Sequence, residues 1–313
     1  MDIRRRKSFW LYVVLVYAIT WLPWIPVQWF ATQRGYVMPN PQTIPELIAK
    51  GFQDNTHLSL VLLTIISMLL PGTVIAAIAA QAYESGRAGL RGLWQRSTHW
   101  RVGWRWYGIM LGLLFVIFLP IFIYGMVKRP LPSGSQVTGV LIWLVPMFIY
   151  TFLTSGMEEP GWRGYLLPSL QTRMSAKRAS VVVGILSGVW QWPVFLPAYI
   201  NTLDSPGGVP QAIITLLIQL ALNISGAMIS GALIYTWLYN RTGSTFLCIL
   251  FHVLHNILWT SMLVLFPNIG QTIPILGMIM LWVIAIVLMR FFWVEARDTG
   301  TRQHTPDSKK VAG

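Results

Sequence analysis

Two short runs of this chain combine residue types and spacings able to support proton-transfer chemistry. The first is Ser155-Gly-Met-Glu-Glu-Pro-Gly-Trp-Arg-Gly-Tyr165. Glu159 and Arg163 stand at i and i+4, so on a helix they face each other and can pair. Pairing keeps Glu159 ionised, whereas Glu158 points elsewhere, partly desolvated and without that partner, a setting that suits a general base. Pro160 removes one backbone donor and disfavours helical geometry at Glu159, so a kink is expected there. The same three charges would also serve as an interfacial ion cluster ending a helix, and both readings stand at this stage.

The second run lies near residue 250. His252 and Asn256 are also i and i+4 and project from one helical face towards a shared point. Such a pair can serve a site, or simply hydrogen-bond between helices. His255 is the next residue round and faces away. Cys248 joins the stripe one turn earlier, but a Cys-His-Asn triad is normally assembled from separate parts of a fold, which argues against a thiol protease. No His-Glu-x-x-His and no cysteine–histidine zinc spacing occurs. The motifs call for no cofactor, and they leave metal dependence open.

These residues must be positioned by membrane helices. Of 313 residues 55% are hydrophobic and only 11% charged, against about 25% charged in a soluble domain. A net charge of +13 alone would suit a nucleic-acid binder, but 16 Trp, 11 Tyr and 14 Phe in so apolar a chain fit aromatic belts and a cationic face on anionic lipid better. The single cysteine excludes an internal disulfide. Crossing a bilayer takes about 20 apolar residues, and stretches near 9–30, 58–83, 106–126, 137–157, 179–199, 212–239, 245–266 and 272–293 meet that length. The fold class is therefore all-α, a polytopic transmembrane helical bundle with about eight spanning helices in one domain, residues 1–294. A polar tail, 295–313, is expected to be disordered and cytoplasmic.

The basic residues orient this path. With the N-terminus cytoplasmic, that face collects Arg4, Arg5, Arg6 and Lys7, then Arg87, Arg91, Arg96, Arg101 and Arg105, then Arg173, Lys177 and Arg178, then Arg241, and finally Arg290, Arg297, Arg302, Lys309 and Lys310. The opposite face keeps Arg34, Lys50, Lys128 and Arg129. The positive-inside rule thus places both termini in the cytoplasm. The first apolar run is too long for a signal-peptide core and lacks a clean cleavage site, so it reads as an uncleaved span. Eight of the ten acids, Asp2, Glu46, Asp54, Glu84, Asp204, Glu295, Asp298 and Asp307, fall in expected loops or tails, which leaves Glu158 and Glu159 as the membrane acids. Glu158, Gln191 and His252 all enter from the cytoplasmic side, His252 about 12 Å in, so they can meet in that half of the bundle. Small residues at Gly226/Ser230 and Ala227/Gly231 suit helix packing, within the monomer in the first place or between monomers.

At residues 140–260 the chain resembles the CAAX-protease and bacteriocin-processing (CPBP, or Abi) intramembrane peptidases. Their Glu-Glu-x-x-x-Arg motif matches Glu158, Glu159 and Arg163, and their His-x-x-x-Asn motif matches His252 and Asn256, preceded by Trp237-Leu-Tyr-Asn-Arg-Thr-Gly-Ser244. The second motif, usually Phe-x-x-x-His in a Trp-His-x-Pro context, departs: here the run is Ser187-Gly-Val-Trp-Gln-Trp-Pro193, with Gln191 in place of histidine and Ser187 in place of phenylalanine. The resemblance implies that Glu158 and the second-motif residue activate a water while His252 and Asn256 stabilise the oxyanion. Glutamine can hold a water but cannot accept its proton, and it is a poor zinc ligand.

The expected activity is therefore that of a glutamate-based intramembrane endopeptidase acting near the cytoplasmic face on a peptide or protein substrate, membrane-associated or prenylated. Catalytic residues would be Glu158, Glu159, Arg163, Gln191, His252 and Asn256. The expected setting is a bacterial or archaeal plasma membrane, with the bilayer as partner and no nucleic acid. A second reading is a catalytically impaired relative that binds a membrane partner or confers bacteriocin immunity, and a third is a small transporter.

Overall fold

The computed structural model describes residues 3–39, 43–69, 72–128, 131–203, 207–270 and 272–295. Among the described residues every regular element is helical. Helices α1 (Ile3–Gln33), α2 (Ile44–Lys50), α3 (Asn55–Leu69), α4 (Gly72–Ser97), α5 (Trp104–Lys128) and α6 (Gly134–Leu153) form the first half. The second half runs through α7 (Glu159–Gly161), α8 (Leu167–Gln171), α9 (Ala176–Trp190), α10 (Leu196–Leu203), α11 (Gly208–Leu222), α12 (Ile229–Thr242), α13 (Thr245–Leu265) and α14 (Thr272–Val287).

Among the described residues seven stretches are long and apolar enough to cross a membrane: Ile3–Gln33, Asn55–Ser97, Trp104–Lys128, Gly134–Gln171, Gly208–Thr242, Thr245–Leu265 and Thr272–Phe292. The chain is a multi-pass, all-α membrane bundle. The remaining expected span, 179–199, is divided. Helix α9 ends at Trp190, a 3-10 turn covers Trp192–Phe195, and α10 follows. Pro193 in the first turn of that 3-10 segment supplies no backbone donor, and Pro197 opens α10 in the same way, so the α-helical ladder cannot run through.

Helix α1 packs along α4. The contact uses Gly72, Ala76 and Ala80 at successive fourfold spacings, with Ala76, Ala77 and Ala80 fully buried against Tyr12 and Val16. Helix α13 is wedged between α5 and α6, and α12 lies between α9 and α14. The Gly226/Ser230 spacing does pack within the monomer: Gly226 meets the Met278 side chain of α14, and Ser230 is fully buried. Gly231 has open space beside it, so the second small pair brings no helix close.

Glu46 and Glu84, both expected in loops, lie in helices, Glu46 within α2 with its Oε1 2.6 Å from Lys50 Nζ. Glu84 lies within α4, where its Oε2 accepts from Ser8 Oγ at 2.7 Å and its Oε1 sits 3.5 Å from Arg5 Nε. Glu295, expected to begin the tail, accepts from the Ala176 backbone at 2.7 Å and from Trp293 Nε1 at 3.2 Å. It thereby satisfies a donor at the start of α9, whose own Ser175 side chain makes no cap bond. The rest of the expected disordered tail, 296–313, lies outside the described residues.

Candidate functional site

The Glu-Glu segment owes its shape to glycine and proline. Past α6, a 3-10 turn at Gly156–Glu158 leads into α7 and then into a π-helical turn, Trp162–Leu166, before α8. A Cβ on Gly156 would stand 3.0 Å from Val253 and 3.1 Å from Ile249, so this glycine lets the turn rest directly on α13. Gly161 does the same against the start of α4, where a Cβ would meet Thr73 at 2.7 Å. Pro160 occupies the first turn of α7, a position that needs no backbone donor. It therefore starts a helix rather than kinking one. In the π-turn, Arg96 Nη2 donates to the Gly164 carbonyl at 3.0 Å. Trp162, buried and edge-on to both Tyr12 and Trp190, fixes the turn between α1 and α9.

Within this frame Glu159 is completely buried. Arg163 Nη1 lies 3.1 Å from both its carboxylate oxygens, the expected i,i+4 pair. A second partner arrives from α13: His252 Nδ1 is 2.8 Å from Glu159 Oε1. Tyr235 of α12 closes the cluster, its ring 4.2 Å beneath the Arg163 guanidinium and edge-on to the His252 imidazole at 5.8 Å. Removing Glu159 would leave the buried Arg163 charge without a counter-charge.

Glu158 occupies a different setting. It is half-buried, beside the Trp162 indole and within electrostatic reach of His252, Glu159 and Arg163. Asn256, one turn beyond His252 on the same face, is half-buried too. Gln191 is the residue at which α9 stops, its backbone N–H bonded to Ser187 O at 3.1 Å, and the Trp190–Trp162 contact at 5.8 Å brings that end of α9 to the Glu-Glu segment. No hydrogen bond joins the side chains of Gln191 or Asn256 to Glu158, Glu159 or His252 among the described residues. His255 turns to α5, with its ring 5.3 Å from Phe118 and stacked near Trp259 at 6.1 Å. Cys248 is fully buried, its thiol 3.9 Å from the Tyr235 carbonyl, so it offers no accessible nucleophile.

Tyr235 and Arg96 were not anticipated from the sequence. Neither stands at a recognisable spacing from the motifs, and only the packing of α12 and α4 against the Glu-Glu segment reveals them. An apolar groove of about 450 Å³ opens between α6 and α13 just beyond Asn256, with Met147, Tyr150, Ile257, Thr260 and Val264 among its walls. Among the described residues no three His, Cys, Asp or Glu side chains converge as a metal site. The arrangement presents a carboxylate outside the Glu159 ion cluster, a histidine held through one ring nitrogen and an amide one turn along the same helical face as that histidine, groups able to activate water and to receive negative charge.

Residues 138–258 match the family model described as type II CAAX prenyl endopeptidase Rce1-like. A curated relative, CAAX prenyl protease 2 of Methanococcus maripaludis, is 34% identical over 115 residues, which is 36% of this chain and 39% of that protein. The chain thus aligns with well under half the length of the relative it matches.

Proposed function

We propose, from the match of residues 138–258 to the Rce1-like CAAX prenyl endopeptidase family model, that the chain is an intramembrane endopeptidase whose general base is Glu158. In this reading Glu158 takes a proton from a water held with Gln191. The hydroxide oxygen adds to the scissile carbonyl carbon, and the same proton then passes to the amide nitrogen as the C–N bond breaks. Arg163 fixes Glu159, and Glu159 fixes His252. With Nδ1 engaged by Glu159, Nε2 is the ring atom left to meet the developing oxyanion, and it donates there when the ring carries both protons. Asn256 supplies the second donor. One preorganised donor of this kind is commonly worth about 3–4 kcal/mol in the transition state.

The observation that carries the reading is the convergence of Glu159, Arg163 and His252 from two motif segments, with Glu158 one residue away and unclaimed by that cluster. The groove along α6 and α13 supports a membrane-associated or prenylated peptide segment as substrate. The distribution of basic residues supports both termini in the cytoplasm, with cleavage near that face. Peptidomics of membranes with the protein, without it and with Glu158→Gln tests the reading: fragments present only with the unaltered chain are expected, and fragments equally abundant with Glu158→Gln contradict it.

Gln191 favours a second reading, a relative without catalysis that binds a membrane or secreted partner. Under it, the unaltered chain produces no fragments while retaining a partner in membranes.

A further inference from the structure

Between Gly86 and Trp106 the chain carries Arg87, Arg91, Arg96, Arg101 and Arg105, and no acid occurs from Ser85 through Met157. Gly86, at φ +57°, interrupts α4, so Arg87–Ser97 forms a separate helical piece. Its inner face carries Leu93, whose side chain fills the space a Cβ on Gly164 would need, and Arg96, bonded to the Gly164 carbonyl. On the other side Arg87, Arg91 and Trp94 follow at i, i+4 and i+7, all exposed. The loop beyond continues that surface with Trp100, Arg101, Trp104 and Arg105, the Arg101 guanidinium lying 4.9 Å over the Trp100 ring. Trp94, Trp100 and Trp104 are 70%, 56% and 85% exposed. Among the described residues none of Arg87, Arg91, Arg101 or Arg105 pairs with a carboxylate.

Exposed tryptophans beside uncompensated arginines suit two polyanions, nucleic acid and an anionic bilayer surface. The position decides between them, because the patch lies at and just beyond the polar C-terminal end of Asn55–Ser97, a stretch long and apolar enough to cross a membrane. We infer that residues 87–105 form a docking surface for anionic phospholipid headgroups, with the indoles at the headgroup level and the guanidinium groups on the phosphates. The surface is tied to both motif segments. Arg96 and Leu93 hold Gly164 in the π-turn, and Ser244, which caps α13 through Leu247 N at 3.0 Å, donates its hydroxyl to His99 O at 2.5 Å.

A thermal melt of the purified full chain in neutral detergent tests this without reference to peptidase activity. Short-chain phosphatidylglycerol is expected to raise the melting temperature saturably, phosphatidylcholine of equal chain length to leave it unchanged, and the exposed pair Lys177→Gln/Arg178→Gln to keep the full response. The quadruple variant Arg87→Gln/Arg91→Gln/Arg101→Gln/Arg105→Gln is expected to lose it. If that variant does not fold, Arg87→Gln and Arg91→Gln taken singly are each expected to raise the half-effect concentration at least twofold. An equal response to phosphatidylcholine, to inorganic phosphate or to an oligonucleotide overturns the inference, as does an unchanged response or midpoint in the arginine variants.

Discussion

His252 Nδ1 lies 2.8 Å from Glu159 Oε1 although 93 residues separate the two in sequence. A single buried carboxylate therefore serves two basic side chains, Arg163 from its own segment and His252 from α13. Glu159 thereby joins the two motif segments.

The first expectation concerns that joint. Glu159→Gln keeps the shape but leaves Arg163 buried without a counter-charge, a loss of about 3–5 kcal/mol. A lowered melting temperature in detergent reads it. Adding Arg163→Met is expected to recover much of the stability while cleavage stays lost, and a Glu159→Gln protein that melts with the unaltered chain contradicts the role given to the pair.

Glycine substitutions separate close packing from open space. Gly161→Ala forces a methyl to 2.7 Å from Thr73 and is expected to cost about 1–3 kcal/mol. Gly112→Ala in α5 meets nothing within 4 Å and is expected to stabilise by about 0.5–1 kcal/mol. The order of the two melting temperatures checks both statements, and a Gly161→Ala protein as stable as Gly112→Ala refutes the close approach of α4.

Glu295→Ala removes the acceptor at the start of α9. A stability loss of about 0.5–2 kcal/mol is expected, typical of a lost helix cap, and it is to be measured as a shift in melting temperature. No shift would mean that the contact adds nothing to α9.

The legibility of this chain in its sequence follows the range of the interactions. Twenty apolar residues announce a span whatever surrounds them, so the α5 and α13 crossings and the all-helical class could be read directly. The Glu159–Arg163 pair was equally legible, because i,i+4 geometry is local. The break at Gln191 was harder: hydropathy averages across Pro193, and the hydrophobic run continues while the helix does not. Glu84 and Glu295 sit in polar surroundings that resemble loop and tail, and only Ser8 and the start of α9, distant in sequence, show what each acid binds. The Glu159–His252 bond and the Tyr235 ring under Arg163 depend on how α12 and α13 pack, which no spacing encodes.

Gln191 carries the next expectation. A histidine there adds a group able to exchange a proton with the attacking water, so Gln191→His is expected to raise the rate of cleavage in proteoliposomes. A large rise from a silent parent would instead identify the unaltered chain as non-catalytic with an otherwise intact site.

The most direct test of the account is the cleavage rate of purified Glu158→Gln on a peptide found by the membrane comparison. The variant keeps size and hydrogen-bonding capacity but cannot take a proton. The rate is expected to fall at least about 100-fold, the lower range for a positioned general base, with the melting temperature unchanged. A Glu158→Gln protein that cleaves at the rate of the unaltered chain would contradict the account.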